Sequence, residues 1–192
     1  MSTEAQTLKQ SWRARLREEN QRHSADERRE ASQRLCQRVE QSDMWRAAKA
    51  VLVFAPRPDE PDIRPLIAAG LQSGKIIALP RHVAAGDTYE AAVVREVARD
   101  LIAGRFGLLE PAPDCPNLPL KQLDLLLVPG IGFDALGRRL GRGKGYYDQL
   151  LSHTPAKKCG IAFDWQVVDE LPTEPHDAPM NHLATPTRWI VF

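Results

Sequence analysis

Residues 123–130 read LDLLLVPG, an almost unbroken apolar run that ends in the turn-forming pair Pro129 and Gly130. A strand with one wet face alternates apolar and polar residues, whereas a strand covered on both faces does not. AVLVFAP at 50–56 has the same character. Four further runs, KIIALPR (75–81), AAVVREV (91–97), CGIAF (159–163) and RWIVF (188–192), carry the β-branched content and turn-forming ends of strands. Between AVLVFAP and KIIALPR, the segment DIRPLIAAGLQS predicts a helix over about 62–73, with Gly74 placed to stop it. Strand, helix and strand within about 30 residues make a right-handed crossover unit. The expected fold class is α/β with a largely parallel sheet.

Upstream of these strands, Thr3 with Gln6 and Ser24 with Glu27 have capping-box spacing, predicting helices over about 4–22 and 25–42. Leu8, Trp12 and Leu16 give the first helix one narrow apolar stripe, so it lies on a surface. Lys9 and Arg13, four apart, project from one face of it and read either as a solvated basic face or as two cations with an anion between them. The proline-rich stretch 108–122 reads as an extended connection within the domain. The 192 residues, 43% of them hydrophobic, suit a single domain spanning 1–192. A net charge of +1 gives no general attraction to nucleic acid or acidic lipid, so any anion binding must be local. Cys36, Cys115 and Cys159 are odd in number and unpaired in spacing, which argues against a disulfide framework or a zinc site and fits a reducing, cytoplasmic setting. No apolar run approaches the roughly 20 residues that span a bilayer, so no membrane association is expected.

The local charge sits just beyond LDLLLVPG. Residues 137–145 read GRRLGRGKG, four cations and four glycines, followed by Tyr146, Tyr147 and Asp148. In open α/β sheets ligands collect at the carboxyl ends of the strands, which is where this loop falls. Gly141, Gly143 and Gly145 permit positive φ and can turn backbone N–H groups onto an anion, with Arg139, Arg142 and Lys144 around it and a helix expected to begin near Gly145. The spacing is neither GxxxxGK[ST], which needs glycine at Arg138, nor GxGxxG, which needs glycine at Tyr146 or Asp148. Residue types alone leave phosphate binding, a flexible basic turn and RNA contact open. Asp148 and Asp177 could share a Mg²⁺ that keeps waters, or could be a helix first-turn acid and a turn residue. Glu60, in the loop after the first strand, could accept hydrogen bonds from an amino-heterocycle or cap the next helix. His82, His176 and His182 show no metal-ligand spacing, and no cysteine or GxSxG motif suggests covalent catalysis.

PGIGFDALGRRLGRGKGYYDQLL closely resembles the signature of the 5-formyltetrahydrofolate cyclo-ligase family, also called methenyltetrahydrofolate synthetases. The resemblance extends to Lys9 and Arg13, the Glu60 loop, GKIIALPR ending in Arg81, FGLLEP at 106–111 and PTEPHD ending in Asp177. It implies a three-layer α/β/α sandwich. It also implies that Lys9, Arg13 and the segment Arg139, Leu140, Gly141, Arg142, Gly143, Lys144, Gly145, Tyr146 and Tyr147 bind ATP. Asp148 and Asp177 would hold Mg²⁺. Glu60 and the segment Arg142, Gly143, Lys144, Gly145 and Tyr146 would contact the reduced folate, with Arg142 and Lys144 catalytic. The implied reaction is ATP-driven closure of 5-formyltetrahydrofolate to 5,10-methenyltetrahydrofolate through an N5-iminium phosphate, by a cytoplasmic monomer with small-molecule partners only. The rival readings are another phosphate-ligand enzyme of this fold and a non-catalytic RNA-binding protein. Near-neutral charge and the lack of an RNP-like aromatic pattern count against the second.

Overall fold

Leu125–Pro129 forms β7, and all five of its residues are buried. Leu125 and Leu127 pack on one face of the sheet, Leu126 and Val128 on the other, which explains the unbroken apolar run. In the computed structural model, which describes residues 3–104, 107–143, 145–174 and 177–192 and only the backbone of Thr3 and Tyr146, β7 lies inside an eight-stranded sheet. From edge to edge that sheet runs β13 (Trp189–Val191), β12 (His182–Ala184), β10 (Lys157–Ile161), β7, β1 (Ala50–Leu52), β2 (Ile76–Val83), β3 (Thr88–Val94) and β6 (Asn117–Leu118). The strands from β12 to β2 pair in parallel, and β13, β3 and β6 add to the edges antiparallel.

The crossover unit is present: β1 and β2 are parallel neighbours joined by helix α4 (Arg64–Gln72), with Pro65 in its first turn. Lys75 N donates to Gly70 O at 2.9 Å and Gly74 N to Leu71 O at 3.1 Å, closing that helix with a Schellman pair. Helices α1 (Thr3–Gln21) and α2 (Ala25–Glu40) lie close to the expected ranges. Both halves of the Ser24–Glu27 box form, at 3.1 and 2.7 Å. Thr3 is already helical, and its side chain lies outside the described residues.

Helices α2, α3 (Asp43–Ala47) and α4 cover one sheet face through Leu35, Val39, Trp45, Leu66 and Ile67. Helix α6 (Tyr146–Ser152), which follows the one-turn α5 (Val97–Asp100) in chain order, covers the other through Leu150 and Leu151, completing three layers. Two short strands, β8 (Gly132–Asp134) and β9 (Arg139–Leu140), form an antiparallel hairpin directly after β7, joined by β11 (Val167–Val168). The proline-rich stretch holds β5 (Leu109–Pro111), paired with β4 (Leu101–Ala103), and then β6. Among the described residues no helix is long and apolar enough to cross a membrane.

Asp134 fixes the β8–β9 turn. It is fully buried, accepts from the amides of Leu136 and Arg138, each at 2.9 Å, and accepts from Leu171 N at 2.9 Å. A buried carboxylate satisfied by backbone donors pins both ends of what it bridges. Here it joins the glycine-rich loop to the segment that leads to Glu174 and Asp177.

Candidate active site

A cavity of about 310 Å³ opens at the carboxyl ends of β1 and β7, between the Glu60 loop, the glycine-rich loop and the start of α6. Phe54, Pro80, Tyr89, Leu109 and Tyr147 make its apolar walls; Arg57, Glu60, Glu110, Arg139, Arg142 and Asp148 bring charge to it. Gly141, Gly143 and Gly145 also line it. Gly143 and Gly145 have φ of 92° and 71°, a region closed to most side chains.

Three cations of the site, Lys9, Arg139 and Arg142, are clasped by carboxylates. Arg142 donates from Nε and Nη2 to Glu60 Oε1 at 3.1 and 2.9 Å, and from Nη2 to Asp59 Oδ1 at 2.8 Å. Burial alone would lower the Arg142 guanidinium, but Glu60 and Asp59 outweigh it and hold it above its ordinary value. Glu60 Oε2 accepts from Arg57 N at 3.1 Å, so both oxygens of this buried carboxylate are engaged. Arg139, also buried, donates to Asp148 Oδ1 at 2.6 Å and to Pro129 O at 3.3 Å, while its Nε has no partner among the described residues. The Arg139 guanidinium lies 5.8 Å from the Tyr147 ring centre. Burial, with Glu60 nearby, pushes the Tyr147 phenol up.

Helix α1 delivers the remaining pair. Leu16 seats it in a small apolar cluster with Ile131, Leu140 and Leu171. One and two turns before Leu16, Arg13 donates from Nε to Gly141 O at 2.8 Å, and buried Lys9 binds Asp177 at 2.6 Å and Glu174 at 2.9 Å. The carboxylates leave the Lys9 ammonium above its ordinary value despite burial. Arg13 is lowered by burial and by Arg17, against the opposing pull of Asp177, Asp148 and Glu174. Both aspartates therefore lie within electrostatic reach of one guanidinium.

Of the residues expected at the site, Glu60, Arg139, Gly141, Arg142, Gly143, Gly145, Tyr147 and Asp148 line one cavity. Arg13 adjoins it through Gly141 O, Lys9 and Asp177 pair with each other one turn earlier along α1, and none of the three lines it. Leu140 is a core residue whose side chain packs on Leu16, so only its backbone is available to a ligand. Lys144 and the side chain of Tyr146 lie outside the described residues, as does His176. Arg81 binds Glu90 at 2.7 Å and the carbonyls of Ala112 and Cys115, tying down the proline-rich stretch.

Sequence reasoning passed over Asp59 and Glu174. Their signal was adjacency: Asp59 precedes Glu60, and Glu174 lies in the same PTEPHD as Asp177. Among the described residues no group of three or more His, Cys, Asp or Glu forms a metal cluster. Asp148 and Asp177 are each held by a cation instead, and Arg139 takes only the Oδ1 of Asp148. That donor set fits a hard cation that retains most of its waters and is completed by phosphate oxygens, as Mg²⁺ does. The cysteines are all buried, and burial pushes the Cys36 and Cys159 thiols up to about 12.

Comparison with known proteins gives a consistent result. A model of the 5-formyltetrahydrofolate cyclo-ligase family matches residues 5–186. A 5-formyltetrahydrofolate cyclo-ligase of Mycolicibacterium smegmatis is 38% identical over 152 residues, 76% of this chain and 77% of that one. One from Mus musculus is 30% identical over 190 residues, 92% of this chain and 93% of that one. The solved structure of 5,10-methenyltetrahydrofolate synthetase from Aquifex aeolicus superposes with a TM-score of 0.86 at 30% identity, covering 96% of this chain and 92% of that one.

Proposed function

The chain belongs to the 5-formyltetrahydrofolate cyclo-ligase family, and we propose that it closes 5-formyltetrahydrofolate to 5,10-methenyltetrahydrofolate at the expense of ATP, releasing ADP and phosphate. The observation that carries this reading is the Arg142 bridge. One guanidinium spans the Glu60 loop and the glycine-rich loop at the edge of a cavity with both apolar and charged walls.

The formyl oxygen is a poor leaving group. Its attack on the γ-phosphorus, with ADP departing, gives an N5-iminium phosphate; N10 then adds to the formyl carbon and gives up its proton to solvent, and expulsion of phosphate leaves the methenyl bridge. The protein's work is alignment and charge neutralisation. Glu60 accepts from the N–H groups of the pterin, Arg142 and Lys144 meet the charge that develops on the transferring oxygens, and Arg139 with the Gly141–Gly145 backbone holds phosphate. Lys9 and Arg13 close over the nucleotide from α1. The Tyr147 and Phe54 walls keep water from the phosphorylated intermediate.

Mg²⁺, held through Asp148 with Asp177 nearby, would supply the remaining countercharge to the polyphosphate. The clasps favour it: Lys9, Arg139 and Arg142 already have carboxylate partners, which offset part of the positive charge that would meet ATP. The protein is read as one domain, monomeric and cytoplasmic, a setting its three buried free thiols suit. The test is to incubate it with 5-formyltetrahydrofolate, ATP and Mg²⁺ and follow absorbance of the methenyl product. Folded protein that makes none of it would overturn the proposal.

A further inference from the structure

Asn20 lies outside the cavity, yet its side chain joins three parts of the site. Its Nδ2 donates to Asp59 O at 2.8 Å, and its Oδ1 accepts from the Trp165 indole Nε1 at 2.8 Å. The amide is buried, and both halves are satisfied. A carbonyl can only accept and an indole N–H can only donate, so the residue between them must offer one donor and one acceptor at short reach. Asparagine does; aspartate and leucine do not. Trp165 is itself fixed, stacked between His23 at 3.7 Å and Phe163 at 4.5 Å between ring centres.

Asn20 follows Lys9, Arg13 and Leu16 at helical spacing, so all four share one face of α1. Along that face Arg13 grips Gly141 O, and Asn20 grips Asp59 O about 10 Å further on at 1.5 Å of rise per residue. Asp59 in turn binds Arg142, the neighbour of Gly141 in the glycine-rich loop. The contacts therefore form a ring: α1, Arg13, Gly141 and Arg142, Asp59, Asn20, and back to α1. Leu16, between Arg13 and Asn20 on that face, anchors it in the apolar cluster.

We propose that Asn20 is a positioning residue, holding α1 and the Glu60 loop in one register so that Arg13, on Gly141 O, and Arg142, at the cavity, keep the glycine-rich loop in place between them. The proposal rests on the cyclo-ligase reading for its substrates but not for its geometry. Opening the ring at Asn20 lets α1 and the Glu60 loop move independently, which weakens binding of both substrates without removing any group that touches them.

The experiment compares Asn20→Leu, which keeps the volume and loses both hydrogen bonds, with Trp165→Phe, which loses only the indole donor. Asn20→Leu is expected to raise KM for ATP and for 5-formyltetrahydrofolate by about fivefold or more, with kcat falling by a smaller factor; Trp165→Phe does the same more weakly. Arg13→Met combined with Asn20→Leu should lose less ATP affinity than the two single losses added together, because part of the effect of Asn20 on ATP runs through Arg13. Nucleotide affinity is also read by calorimetry with a non-hydrolysable ATP analogue, so a chain that bound nucleotide without turning over folate would sink the reaction and leave Asn20 tested. Unchanged KM values and analogue affinity in both single variants, with only the melting temperature lowered, would overturn the proposal, as would fully additive losses in the double variant.

Discussion

Arg142 has the most demanding position of any described side chain at the site. Its guanidinium satisfies two carboxylates at once, with Glu60 buried on one side and Asp59 half-exposed on the other. A planar fork with donors on several nitrogens can do that and still turn one edge toward a phosphate; an ammonium on a flexible stem cannot. Arg142→Ala is expected to lower kcat/KM by at least about 100-fold, since it removes a cation from the reacting oxygens and leaves Glu60 buried without its partner. Arg142→Lys should recover only a small part of that loss. Steady-state kinetics beside circular dichroism checks both; a lysine variant within about twofold of the parent would show that charge alone suffices and that the fork has no role. Asp148→Ala acts from the other side by releasing Arg139, and it too should lose turnover while the sheet stays folded.

At the scale of elements, the glycine-rich loop and α1 fit only each other. A Cβ placed on Gly143 would stand 3.3 Å from the Arg13 guanidinium carbon, on a backbone with φ of 92°. Gly143→Ala therefore combines strain of about 1–3 kcal/mol with a push on Arg13. Calorimetric titration should show weaker nucleotide binding in this variant, with a smaller change in folate KM than in ATP KM; equal losses for both would mean that the loop yields as a whole. The loop, the crossover unit and both N-terminal helices were legible because each is coded locally, by glycine spacing, apolar periodicity or a capping pair such as Ser24 and Glu27. β12 was not: His182–Ala184 is three residues long and becomes a strand only because β10 and β13 flank it. The β2–β3 hairpin was half visible, two apolar runs without their antiparallel pairing, since the turn at 84–87 depends on Asp87 at φ of 44°. The clasps of Lys9 and Arg142 were invisible for a different reason. Their partners lie 165 and 82 residues away, and no local pattern states which acid will meet which cation.

For the molecule as a whole, a net charge of +1 means that substrate recognition has to be local, and the acid–base pairing of the site keeps it so. The resting chain also carries a cost that its ligands can relieve. Arg139 has a buried Nε with no partner among the described residues, and Gly143 and Gly145 in the same cavity hold positive φ. A polyphosphate seated there supplies the missing acceptor and binds only the folded chain, so it must raise the melting temperature. At a hundred times its dissociation constant a ligand adds about 2.7 kcal/mol, which for a chain of this size is a shift of roughly 5–10 °C. A non-hydrolysable ATP analogue with Mg²⁺ should give a shift of that order in a thermal melt. Chelating the metal should remove most of it, because the Asp148 and Asp177 carboxylates then stand near the phosphates with no metal ion between them. A melt in which the analogue stabilises equally with and without Mg²⁺ would show that the arginines and lysines alone neutralise the nucleotide, and Asp148 and Asp177 would then be partners of Arg139 and Lys9 and nothing more.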